Sequence, residues 1–405
     1  MFYREIPAGI AELLEDYRPT LTKPQFQNFG VFISGLIVHE NKTIQEINDA
    51  FSEKDQSSLN RFVTESEFDM HAIDAVRINQ VKDVVGTTCV LFVADDSMAH
   101  KTGRHMEKAN YHRSGTTKRV EWGHNIVDSV LIDPTGKMYP FGANIYLRKI
   151  DCDENNEFNT KREIAIKQLE HALKCGFHVV IYVADCGYYS STVCKELKHL
   201  KVCFVLGVVG TTKISIDRKK RIAISDYVSQ LSQKDYTEVK KSNGTYYIHT
   251  VKCYVRGSGS VKLILSYKKG EEEDIRAYVT DILDKSDSYL MECLLKRWSI
   301  ECFHRDAKQH LGLEDYQVRK YRGIQIVVLA VLVAYTLLVL GCMKNRVIVR
   351  IAESFGRPLK TIGELCRFMK LSAMKGYNWI NRMLRDKERF RMILNRYVLV
   401  KNAKV

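Results

Sequence analysis

Three acidic residues stand where chemistry could be done. Asp95 closes the apolar run CVLFVADD, Asp185 closes FHVVIYVAD, and Glu301 sits inside KRWSIECFHRDAKQHLGL, a stretch with helical periodicity. Both aspartates fall at the carboxyl ends of buried strands, where open α/β sheets place their ligands. Carboxylate oxygens suit hard cations such as Mg²⁺, which binds through one or two carboxylates together with substrate phosphates. Two such ions about 4 Å apart can activate an attacking oxygen and stabilise a leaving one in an in-line phosphoryl displacement. A single aspartate at a strand end is more often a turn or cap residue, so the weight rests on the set. Asp95 is followed by Asp96, and either can be the first ligand; Asp95 is preferred because it directly continues the strand.

The glutamate stretch adds discrimination. At about 100° per residue, Arg297 lies about 40° from Glu301 and Lys308 about 20° from it on a helical wheel. One face therefore shows a cation, a carboxylate and a second cation. Alone, that is an ion-pair ladder. Beside two strand-end aspartates, it reads as a metal ligand flanked by phosphate-binding cations.

Further cations follow the first acid. His100–Arg119 holds Lys101, Arg104, Lys108, Arg113, Lys118 and Arg119 against one acid, Glu107. The competing reading is a solvated basic loop. Over the whole chain, 62 Lys and Arg stand against 48 Asp and Glu, a formal charge of +14, which favours a polyanionic partner, nucleic acid or an anionic membrane surface. Sixteen of the basic residues and only four acids fall in residues 343–405, where Trp379, Ile380, Met383 and Leu384 interleave with Arg382, Arg385, Lys387, Arg389, Arg391 and Arg396 at helical spacing. That segment reads as a basic helix, either a solvated face or a nucleic-acid surface.

The elements that position these residues can be read in outline. With 405 residues, 45% of them hydrophobic, and only six prolines, the chain is neither disordered nor collagen-like and is long enough for two to four domains. Residues 1–85 read as small helices: Ile44, Ile47, Ala50 and Phe51 recur at helical spacing, and SLNRFV (58–63) starts a second helix after a short break. This suits a helix-turn-helix or any small bundle. From Cys89 the order is β-β-β-α-β-α-β, with a hairpin turn at Asp133-Pro134-Thr135-Gly136 and a capping box at Thr160-Lys161-Arg162-Glu163. Residues 210–285 read as a β-rich insert, and a long helix runs from Ser288 to Leu311 before Gly312.

Ile326–Cys342 is apolar enough to span a bilayer. Basic residues flank it on both sides and no second run accompanies it, so a buried core helix is expected, with a membrane anchor as the competing reading. The eleven cysteines contain no C-x-x-C pair and argue against a disulfide framework or zinc ribbon. The N-terminus carries acids where a signal peptide would be basic and then apolar. A cytoplasmic, nucleoid-associated protein without a membrane partner is expected.

Asp95, Asp185 and Glu301 on this element order resemble the DDE transposases of bacterial insertion sequences. Arg297, Glu301 and Lys308, spaced R-x₃-E-x₆-K, resemble the tyrosine–arginine–glutamate–lysine signature of one branch, which also carries a β-rich insert before the glutamate helix. The resemblance covers roughly residues 20–345. It implies an RNase H-like core over residues 86–209 and 286–342, split by the insert, with a helical DNA-binding domain over 1–85 and a basic helical region over 343–405. It also implies Asp95, Asp185 and Glu301 as catalytic metal ligands for Mg²⁺ (or Mn²⁺), and Arg297 and Lys308 as holders of end phosphates. Lys101, Arg104, Arg113, Lys118 and Arg119 would lie along DNA. The activity implied is cleavage and strand transfer at terminal inverted repeats by a dimer; a non-catalytic DNA-binding descendant is the alternative. The family's tyrosine is Leu294 here, so its contact is missing and a hairpin intermediate stays open. The tryptophan that stacks on a flipped base in some relatives is absent from the insert, leaving Tyr246, Tyr247 or Tyr254 as substitutes.

Overall fold

The computed structural model describes residues 8–51, 56–113, 117–154, 156–217, 220–344 and 361–375. The chain divides into two compact units. One comprises Met1–Val84, Met98–Asn125 and Phe303–Val405; the other comprises Val85–Ser97 and Ile126–Cys302.

The first unit is largely helical. It holds α1 (Ala8–Glu15), α2 (Lys23–Val38), α3 (Ile44–Phe51), α4 (Gln56–Thr64) and α5 (Met70–Val85), the last of which ends at the unit boundary. Thr22 and Gln25 form a reciprocal capping box that starts α2. Tyr17, Phe29, Phe62 and Phe68 make a continuous aromatic core. Arg77 is fully buried and paired with Asp74 at 2.6 Å.

The second unit is built on a mixed sheet. Its strands are β1 (Cys89–His100), which runs on into the first unit, β3 (Val120–Ile132), β4 (Met138–Tyr146), β5 (His178–Ala184) and β6 (Cys203–Val208). A short β2 (Asn110–Arg113) pairs antiparallel with the first residues of β3, Val120–Gly123, and this ribbon belongs to the first unit. Helices α6 (Lys161–Lys174) and α7 (Ser191–His199) connect the later strands. The capping box read at Thr160 and Glu163 is formed, and Gly176, at φ +80°, follows α6 as its left-handed stop. The turn read at Asp133 is closed by a 2.9 Å bond from the Gly136 N–H to the Asp133 carbonyl.

Residues 210–285 add β7 (Lys213–Ser215), β8 (Ile222–Ala223), α8 (Ile224–Val228), β9 (Thr237–Lys241), β10 (Gly244–Val255), β11 (Gly259–Lys268) and β12 (Arg276–Thr280). They extend the core sheet: β12 pairs antiparallel with β6, and the order runs β3-β1-β5-β6-β12-β11-β10-β7-β8, with β4 beside β3. Phe92 stacks on Tyr182 between β1 and β5, and Phe141 and Phe177 close the same core.

One difference from the sequence reading has a physical cause. The segment after Asp95 is a continuation of β1 followed by β2, because Tyr111–Arg113 alternate out-in-out and find a partner in β3; the many cations hide that period of two. In addition, α9 spans Asp287–Leu311, with Gly312 at φ +74° beyond it. Helix α10 (Tyr321–Lys344) packs on α1, α2 and α4. It is long and apolar enough to cross a membrane, yet 89% of its apolar window is buried. Helix α11 (Ile362–Lys375) is the described part of the basic segment; Trp379 to Arg396 lie outside the described residues.

Candidate active site

Strands β1 and β5 are parallel, with Ala94 opposite Ala184. Asp95 and Asp185 are the next residues on each, so they leave adjacent strands that lie about 4.8 Å apart. β5 ends there while β1 continues to His100. Asp95 therefore stands where its neighbour has stopped, which leaves room beside it.

Asp185 is held by its own backbone turn. Its Oδ1 accepts from the Gly187 N–H at 2.8 Å, and its carbonyl accepts from the Tyr188 N–H. Arg162 donates to the Gly187 carbonyl at 2.8 Å. Behind the turn, Gly207 on β6 has no space for a side chain: a Cβ there would stand 2.6 Å from the Cys186 nitrogen and 3.0 Å from the Asp185 carbonyl carbon.

The alternation of β1 separates the two adjacent acids. Asp96 accepts from Lys161 at 2.7 Å and from the Tyr188 hydroxyl at 3.3 Å. Burial, and then the charges of Asp96, Asp95 and Asp185, hold the Tyr188 phenol well above its ordinary value, so it remains a donor. Asp95 instead faces Arg297, whose Nη1 lies 3.8 Å from its carboxylate. The other Arg297 nitrogen donates to Glu301 at 2.6 Å. Burial alone would lower the Arg297 guanidinium, but Tyr278, Glu301 and Asp95 outweigh it and raise it further.

Arg297 thus links Asp95 to Glu301 and supplies the positive charge between them. Among the described residues, no three His, Cys, Asp or Glu side chains are arranged to hold one ion. Asp95, Asp185 and Glu301 offer carboxylate oxygens, a donor type that fits a hard divalent cation. Lys308, two turns along α9, donates to the Met98 carbonyl at 2.5 Å and to Glu314 at 2.9 Å.

A cavity of about 430 Å³ opens beside Arg297 and includes Tyr246, Lys268, Arg276, Tyr278 and Trp298 in its wall. Trp298 is 55% exposed. Of the insert's three candidate tyrosines, Tyr246 lines this cavity, whereas Tyr247 stacks on Tyr267 and donates to Glu238. Leu294, in the place of the family tyrosine, is buried against the same cavity. The sequence reading missed Trp298 by looking for an aromatic within the insert; its place next to Arg297 was the available signal. It also missed Lys161, whose role as a capping-box neighbour concealed its reach to Asp96.

The remaining basic residues lie in the first unit and divide in two. Lys101 is clamped: it donates to the Glu314 and Tyr316 carbonyls at 2.6 and 3.0 Å and sits 3.3 Å over the Tyr316 ring. Burial pushes its ammonium down to about 8. Arg104, Arg113, Lys118 and Arg119 are exposed.

Residues 149–337 match the transposase DDE domain family model. That span holds Asp185, Arg297, Glu301 and Lys308, while Asp95 precedes it. No curated protein matches the chain. A solved structure, the Drosophila P element transposase strand transfer complex, is similar at 11% identity and a TM-score of 0.24; the match covers 54% of this chain and 55% of that one, about half the length of each.

Proposed function

We propose that this protein is a DNA transposase that binds the terminal inverted repeats of an insertion sequence, cuts the phosphodiester at each end and joins the freed 3′-hydroxyl to target DNA. The carrying observation is the pair of aspartates on adjacent parallel strands, Asp185 just past the end of β5 and Asp95 beside it within β1, with Arg297 tying Asp95 to Glu301. The order β4-β3-β1-β5-β6 supports an RNase H-like core.

Asp95, Asp185 and Glu301 would hold divalent ions, Mg²⁺ or Mn²⁺. When bound, such ions supply a lowered pKa for the attacking oxygen and charge stabilisation for the leaving one. The chain's own residues set the rest. The Gly187 turn fixes Asp185. Lys161 and Tyr188 hold Asp96 off to the other face, which favours Asp95 as the ligand. Arg297, displaced from the carboxylates, would be free to grip an end phosphate, with Lys308 further along the helix. Such contacts position DNA and do not read its sequence. The cavity beside Arg297 is lined by Tyr246, Tyr278 and Trp298 and suits an unstacked base of the end. The helices of residues 1–85 would read the repeat, and a dimer would pair two ends.

The test is a cleavage assay with Mg²⁺ on DNA carrying the inverted repeats found beside the gene. Wild type should cut at the repeat end, and Asp185→Asn should bind the same DNA without cutting it. Cleavage retained by that variant would remove Asp185 from the site.

A further inference from the structure

The β2–β3 ribbon carries a second set of groups that the cutting chemistry does not use. In its register Tyr111 pairs with Trp122 and Arg113 with Val120, while His112 pairs with Glu121. Strand alternation therefore places Tyr111, Arg113, Val120 and Trp122 on one face. His112, on the other face, is buried.

The first face is open and apolar in the wrong place for a core. Tyr111 is 49% exposed and Val120 64%. The Tyr111 and Trp122 rings meet edge to face, with centroids 5.1 Å apart. Arg104 lies across both, 5.5 Å from one ring centroid and 5.1 Å from the other, and donates to the Tyr111 hydroxyl at 2.6 Å. The Trp122 indole N–H is held by the Gly103 carbonyl at 2.9 Å, so the ring is fixed in place. The one acid of the ribbon, Glu121, is turned to the opposite face, where it accepts from Thr117 and lies 3.6 Å from His100. What remains is two fixed aromatic rings edged by Arg104 and Arg113, with Lys118 and Arg119 at the start of β3.

We propose that this face is a stacking site for an unpaired DNA base, distinct from the cavity beside Arg297. The inference rests on the DNA-binding reading given above. Positive charge selects a polyanion, and the exposed ring face selects within that class. An intact duplex buries its base faces in the stack, so a π-face becomes available at a gap, a flap or a frayed end. Base–aromatic stacking is tolerant of sequence, which suits a surface that offers no ordered set of base-edge donors.

The experiment compares two DNAs of equal length with the full chain at fixed salt, by fluorescence anisotropy. One is a duplex with a single unpaired 5-iodouracil in a gap; the other is a closed dumbbell duplex with no ends. Tyr111→Ala should weaken binding of the gapped DNA by about 5- to 150-fold. It should leave dumbbell affinity within about twofold, because it removes no charge. Tyr111→Phe should restore the gapped affinity. Irradiation should crosslink the iodouracil to the peptide holding Tyr111 or to that holding Trp122. Equal weakening on both DNAs, no weakening on either, failure of the phenylalanine to rescue, or a crosslink confined to other peptides would each overturn the stacking site. Failure of wild type to bind either DNA would instead remove the DNA-binding reading beneath it.

Discussion

The acids of the second unit and the β2–β3 ribbon of the first are both candidate contacts with DNA, and they are built on opposite principles. Asp185 is fixed by a backbone turn, backed by Gly207 and tied through Gly187 to Arg162. Asp95 and Glu301 share one guanidinium. The ribbon instead leaves Tyr111 and Val120 in solvent and spreads its cations along an edge. A site that makes and breaks bonds needs atoms held to fractions of an ångström. A surface that follows a flexible polymer needs charge and area, with little demand on position. Substitutions should therefore act on rate in the first region and on affinity in the second.

The largest expected effect tests the first half of that contrast. Asp185→Asn should lower end cleavage by about 10³-fold or more, the scale found when one member of a group acting as a unit is lost. DNA affinity, measured in parallel by anisotropy, should change little. A variant that loses binding and cutting together would place Asp185 in the folding of β5 and erase the distinction.

Arg297→Met comes next and separates charge compensation from DNA contact. The Arg297 and Glu301 side chains are only 14% and 32% exposed. Without Arg297, Asp95 and Glu301 face each other unneutralised, and the protein without metal should lose about 1–2 kcal/mol. Mn²⁺ would then have no competing cation, so it should bind about tenfold more tightly and raise the unfolding temperature more than in wild type. A smaller metal-induced rise in the variant would show that Arg297 helps hold the site open. Gly207→Ala should follow, costing roughly 1–3 kcal/mol through overpacking. By pushing the Asp185 backbone, it should also slow cleavage about tenfold with DNA affinity unchanged; an unaltered rate would show that the strand end can shift without harm.

How far the sequence reaches differs between the two regions for the same reason. The two aspartates were visible because a buried strand writes a continuous apolar run and each acid follows one; that β1 runs on past Asp95 to His100 was not visible. The capping box at Thr160 and the turn at Asp133 were legible because each is a local pattern closed within four residues. The link from Arg297 to Asp95 was not, since it joins residues two hundred positions apart through the packing of α9. That link, with Lys161 and Tyr188 on Asp96, is also what favours Asp95, a preference the strand pattern alone could only suggest. The ribbon was read as a basic stretch along DNA with no strand in it, because four residues of β2 are too few to show alternation among so many cations. The sheet continuity of β6 with β12 was equally hidden: the pairing partner lies beyond seventy intervening residues, and nothing local announces it.

The smallest expected effect concerns Lys101, which begins the ribbon segment but is built like the acids, held at three points by the Glu314 and Tyr316 carbonyls and the Tyr316 ring. Burial lowers its folded value to about 8, below that of the unfolded chain. Between that value and the unfolded one near 10.4, the unfolded chain binds more protons, so stability rises with pH across this window. The sign is opposite to that of a lysine stabilised by an ion pair. Tyrosines with raised values, such as Tyr316, begin to act in the other direction only above about pH 10, where the unfolded phenol ionises. Burial also raises the Cys253, Cys293 and Cys366 thiols, which act in the other direction from about pH 8.5, so the lysine is read as a difference: from pH 8 to 10 the stability of wild type relative to Lys101→Met, taken from denaturant midpoints, should climb by about 1 kcal/mol, after allowance for solvent screening of a partly exposed side chain. Lys101→Met should leave the salt dependence of DNA binding unchanged, whereas Arg113→Ala should reduce the salt slope by about one phosphate contact. If Lys101→Met lowered the salt slope as much as Arg113→Ala, its ammonium would leave the carbonyls for DNA, and Lys101 would belong with the ribbon's cations after all.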